Sequence, residues 1–144
     1  SKVHVLFDPP HLIKNVRNNL QKHDFVNGQE VYSWSDISKF YDFDKEQPVR
    51  ITPKLTDKHL TLPAFSSMKV KLATQVLSHS VAAGISSLST AGYLPKKSQN
   101  TAKFIEDMDR LFDIFNSKSI KLKKLHIWQV PVVQSFKLTT YRKC

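Results

Sequence analysis

The sequence has 144 residues, 40% of them hydrophobic and 9 of them Phe, which is enough to bury a core and sets aside disorder as the default. A formal net charge of +10 and a pI near 9.8 favour a polyanionic partner without saying which one or where it binds. The one cysteine, Cys144, excludes an internal disulfide and a cysteine-based zinc site. No charged leader opens the chain and no run approaches the roughly 18 apolar residues of a membrane span, so the chain reads as soluble, with no membrane partner.

Val3, Val5 and Phe7 alternate with His4 and Leu6 as a short strand does, and the run ends on an acid, Asp8. Pro9 and Pro10 cannot continue a ladder but suit a turn or a first helical turn. Leu12, Ile13, Val16 and Leu20 then recur at helical spacing, with Lys14, Arg17 and Asn18 opposite. On this pattern alone Asp8 is either a turn residue before proline or a strand-end carboxylate of the kind that holds a divalent metal. From Asp24 to Tyr32, Asn27-Gly28 between β-prone runs predicts a small hairpin. Ser33-Trp-Ser-Asp predicts a helix start, with Trp34, Ile37, Phe40 and Tyr41 as its apolar stripe, followed by acidic Asp42, Asp44 and Glu46. Pro48 and Pro53 mark a loop carrying Lys54.

From Pro63 to about Leu88 the pattern predicts a helical stretch apolar on more than one face, with Val70, Ala73, Leu77, Val81 and Ile85 on one of them. The segment from Ala91 to Ser98 reads as a turn and basic loop. Asn100 or Thr101 is placed to cap the next helix, where Phe104, Met108, Leu111, Phe112 and Phe115 form the buried face and Glu106, Asp107 and Asp109 the exposed one. A basic run, Lys118, Lys121, Lys123 and Lys124 near His126, suits a solvated helix face as well as a DNA contact, and an extended stretch is expected from Ile127.

Only Gly28, Gly84 and Gly92 are present, so neither a Walker phosphate loop nor a Rossmann GxGxxG can be built. A nucleotide site would have to come from side chains and helix ends. The histidines, at 4, 11, 23, 59, 79 and 126, show no i,i+4 pair and no metal-ligand spacing, although His11 could orient the segment around Asp8.

Four segments carry a resemblance. DPPHLIKNVRNNL, from Asp8, resembles the motif around the second catalytic Asp of the P-element transposase family, which includes the transposase-like part of THAP-domain proteins. Ile51 to His59, Met68 to Ile85 and Phe104 to Asn116 are similar to later segments of that family, so the likeness runs from about Val3 to Ser117. It implies a mainly α fold: a helical GTP-binding insertion domain over 24–128, preceded by a strand and helix of an RNase H-like domain over 1–23 and followed by a C-terminal extension over 129–144. It also implies a nuclear protein that acts on DNA with GTP and Mg2+, with homo-oligomers possible in the parent.

Guanine recognition needs a carboxylate that accepts from the ring N–H and the exocyclic amine, beside an aromatic ring that stacks the base. The resemblance assigns the carboxylate to Asp113, base contact to Phe112, a supporting hydrogen bond to Asn116, the base-pocket lining to Val70 and phosphate counter-charge to Lys54 and Lys69. Ser78 is a weaker candidate of the same kind. From the residues alone, Phe112 reads as core, Asp113 as a solvated helix acid and the lysines as snorkelling side chains. Of the three acids of a two-metal transposase centre the resemblance supplies only Asp8, so cutting or joining DNA is not expected of this chain alone. The nucleotide-contacting acid that the family contributes after the insertion is also missing, which would weaken the nucleotide site. Three functions follow: GTP as a positioning cofactor for DNA that is not itself hydrolysed; a domesticated remnant serving as a DNA- or protein-interaction module; or a stand-alone nuclease combining Asp8 with Asp42 and Asp44.

Overall fold

The computed structural model of the chain describes residues 9–61 and 69–116. The expected opening strand with Asp8, the segment 62–68 and everything after Asn116, including the basic run, lie outside the described residues. Within them the order is α1 (Pro9–Lys22), β1 (Phe25–Asn27), β2 (Glu30–Tyr32), α2 (Trp34–Lys45), α3 (Asp57–Leu60), α4 (Val70–Val76), α5 (His79–Thr90) and α6 (Ser98–Asn116). The architecture is mainly helical with one antiparallel hairpin, as the sequence implies.

Helix α1 starts on its two prolines, where the missing N–H groups would have no helical partner in any case. It buries Ile13, Val16 and Leu20 against the core, each contributing roughly 1.5–3 kcal/mol of apolar burial. The hairpin pairs Phe25 with Tyr32, Val26 with Val31 and Asn27 with Glu30. Its two-residue turn is therefore Gly28-Gln29, one residue later than an Asn-Gly centre, and Gly28 takes a positive φ of 61°. Tyr32 stacks on Phe104 of α6 with ring centroids 4.9 Å apart, and Phe25 meets the same ring edge-on, so the hairpin is pinned by one aromatic from each strand.

The expected long helical stretch is two helices. Ser78 interrupts it: its hydroxyl donates to the Gln75 carbonyl at 2.9 Å, closing α4, and accepts from the Val81 N–H at 3.4 Å, opening α5. Leu77, at the break, still points into the core, as do Ala73, Val76, Val81 and Ile85, so the apolar pattern runs through a break that it does not reveal. The short α3, unforeseen, is opened by a capping box between Thr56 and His59.

Helices α5 and α6 form an antiparallel pair that carries the largest interface of the fold, with α1, α2 and the hairpin packed around it. At the α2 crossing, the ring of Phe40 lies so close to Gly84 of α5 that a Cβ there would sit 2.5 Å from Cζ. Helix α6 begins at Ser98, earlier than Asn100 or Thr101, because the Pro95, Lys96 and Lys97 carbonyls already accept from the Ser98, Gln99 and Asn100 N–H groups. Both Ser98 and Thr101 donate to the buried Asp36 carboxylate of α2, at 2.9 and 2.6 Å, while Thr101 Oγ1 accepts from the Ser33 N–H at 3.1 Å. This network joins the N-termini of two helices that are remote in sequence.

Candidate functional site

The junction of α4 and α5 opens a cavity of about 290 Å3. One wall is the loop Ile51–Leu55, with Lys54 exposed upon it; the other is Thr74, Gln75, Ser78, Ser80 and Val81. The loop is held rigid by Asp44, whose carboxylate accepts from the Ile51 N–H at 2.7 Å, the Thr52 N–H at 3.1 Å and the Thr52 hydroxyl at 2.9 Å. Arg50 Nε lies 3.4 Å from the same carboxylate, and its guanidinium sits over the Tyr41 ring, 5.5 Å from the centroid. Burial raises the Asp44 pKa, but these hydrogen bonds and the Arg50 charge outweigh it and hold the carboxyl below its ordinary value. Asp44 is thus a structural anchor. Asp42 is exposed and pairs with Lys45 at 3.3 Å, whereas Asp44 is buried and committed to the loop; Asp8, the third acid of the nuclease reading, lies outside the described residues.

Lys54 and Ser78 are brought to one cavity. Ser78, however, has used its hydroxyl proton on the Gln75 carbonyl, which leaves Lys54 as the cationic group of the lining. Lys69 is exposed immediately before α4: the apolar residues after it enter the helix while its own side chain stays at the surface. Val70, the first residue of α4, is half-buried against the core.

Phe112, Asp113 and Asn116 lie on the last turns of α6. Phe112 is half-buried and packs on the core, leaving part of its ring accessible. Asp113 is exposed and has no hydrogen bond or ion pair among the described residues. One turn earlier, Asp109 accepts from the His79 backbone N–H at the start of α5. Burial and the neighbouring Asp113 charge raise the Asp109 pKa, opposed by His79. Glu106 pairs with Arg110 at 3.2 Å and approaches His79 Nδ1 at 3.7 Å. Glu106, Asp107 and Asp109 are therefore partly buried beside α5 and the hairpin, and not a freely solvated face.

Sequence reasoning missed Gln75, Thr74 and Ser80, which reach the cavity only because the chain breaks at Ser78. It also missed His59, which is buried and reaches Gln75 from α3. A second hollow, about 400 Å3, lies between the end of α1 and the start of α2, with Trp34 and Lys39 in its lining and no residue of the nucleotide assignment.

A family model described as a TNP-like, GTP-binding insertion domain matches residues 10–127. The transposable element P transposase of Drosophila melanogaster is 34% identical over 118 residues, which are 81% of this chain and 16% of that protein. A chain of the solved Drosophila P element transposase strand transfer complex superposes with a TM-score of 0.72 at 32% identity, covering 79% of this chain and 26% of that one. The chain thus spans a minor part of the length of either relative.

Proposed function

The chain belongs to the TNP-like, GTP-binding insertion domain family, and from that premise we propose that it binds GTP as a cofactor that positions DNA within a larger P-element-like transposase. The observation that carries the reading is Asp113, an exposed carboxylate without a partner among the described residues, beside the half-accessible ring of Phe112. A carboxylate in that state is ready to accept the two guanine donors, and the neighbouring ring to contact the base. Asn116 supports the base contact and Val70 lines the pocket. Lys54 and Lys69 supply counter-charge to the triphosphate, with the first turn of α5 contributing a favourable dipole at the cavity.

In this reading the boundaries are 1–23 for the RNase H-like strand and helix, 24–128 for the insertion and 129–144 for the extension. Asp8 serves as one metal-holding acid of a centre completed by other parts of the parent protein. Mg2+ accompanies the phosphates and that centre, DNA is the macromolecular partner, and the site of action is the nucleus.

A second reading, an interaction module that has kept only the fold, draws on the solvent-facing edge formed by Tyr93, Lys96 and Lys97 between α5 and α6. Titrating the chain with GTP and ATP, with and without magnesium, beside Asp113→Ala and Lys69→Ala, separates the two. GTP-selective binding lost in both variants supports the first; salt-dependent DNA binding without nucleotide selectivity supports the second.

A further inference from the structure

We propose that Gln75, held by His59, donates a hydrogen bond to the phosphate chain of the nucleotide in the α4–α5 cavity, an inference that rests on the GTP reading above. Half of the side-chain donors around that cavity are already committed. The Thr52 hydroxyl donates to Asp44, the Thr74 hydroxyl to the Lys71 carbonyl at 2.9 Å and the Ser78 hydroxyl to the Gln75 carbonyl. Donors without a partner among the described residues are the Lys54 ammonium, the Ser80 hydroxyl and the Gln75 amide nitrogen.

The orientation of the Gln75 amide follows from His59. The Thr56 backbone N–H donates to His59 Nδ1 at 3.0 Å, so Nδ1 is the unprotonated nitrogen and the ring proton resides on Nε2. His59 Nε2 lies 2.7 Å from Gln75 Oε1, which must accept from it. The amide oxygen is thereby fixed toward the buried imidazole, and the NH2 group is left as the free end of a residue that lines the cavity. His59 is a positioning residue: anchored through Thr56 at the start of α3, it removes the rotational freedom that the glutamine would otherwise lose on binding. A neutral donor held this way is suited to a phosphate oxygen, which only accepts.

The test measures GTP and guanosine affinity for the chain and for Gln75→Ala, Gln75→Glu, His59→Leu and the His59→Leu/Gln75→Ala double variant, with thermal melting to establish folding. Gln75→Glu keeps the size and the bond from His59 but replaces the donor with a carboxylate. It is expected to weaken GTP by more than tenfold and Gln75→Ala by about tenfold, with guanosine unchanged in both. His59→Leu should weaken GTP but add nothing once Gln75 is alanine, because it acts through that residue. Folded Gln75→Glu that binds GTP within about twofold of the parent, or that loses guanosine equally, overturns the inference and leaves the GTP reading standing. A parent chain that binds no GTP overturns both.

Discussion

Asp36 and Thr101 are 65 residues apart in sequence, and their side chains meet at 2.6 Å in the interior, where the carboxylate also accepts from Ser98. The bond ties the α2 N-terminus to the first turn of α6, the helix that carries Phe112 and Asp113 at its far end. Asp36→Ala leaves two buried hydroxyls without their acceptor, and the expected loss is about 3 kcal/mol. Urea unfolding at neutral pH measures it; a loss below about 0.5 kcal/mol, the scale of an ordinary surface change, would mean that the network is incidental.

Asp44 gives the fold a signature in acid. Its carboxyl is held below the ordinary value in the folded chain, so the unfolded chain takes up its proton first as pH falls. The stability it contributes is complete above the unfolded value of about 4 and is lost as pH drops through the folded one. Asp44→Asn should therefore cost about 3 kcal/mol at pH 7 and show a shallower loss of stability below about pH 4 than the parent. Parallel stability-versus-pH curves for the two proteins would contradict this account of the Ile51–Leu55 loop.

Gly84 is required by its neighbour and not by its backbone. A Cβ added there would lie 2.5 and 2.6 Å from two atoms of the Phe40 ring, which is itself fully buried and would have to shift within the core. Gly84→Ala is expected to destabilise by about 1–3 kcal/mol. Phe40→Leu in the same chain should recover part of that loss in a double-mutant cycle, whereas strictly additive losses would place the strain elsewhere.

Features set by neighbours along the chain were legible in the sequence. Pro9-Pro10 opening α1, Gly28 in the hairpin and Ser33 capping α2 each depend on local backbone chemistry, and the sequence contains all of it. The break at Ser78 was hidden because Val76, Leu77 and Val81 are buried on either side of it, so apolar periodicity continues while the backbone does not. Asp36, Asp44 and His59 looked like ordinary polar residues; their partners are supplied by tertiary folding, and for Asp36 those are 62 and 65 residues away. The cavity was out of reach for the same reason. Lys54 and Ser78 were singled out through the family resemblance, while Gln75 acquires meaning only when α3 brings His59 against it.

Asp113 is proposed to read guanine, and exchanging its chemistry puts that role to the test. Asp113→Asn substitutes an amide donor for one acceptor, which mismatches the exocyclic amine of guanine and matches the carbonyl that xanthine carries in its place. Binding of GTP and of xanthosine triphosphate would be titrated against the parent and this variant. The parent is expected to prefer GTP, and Asp113→Asn to lose at least tenfold in GTP affinity while gaining affinity for xanthosine triphosphate. Unchanged preference for GTP in the folded variant would contradict it.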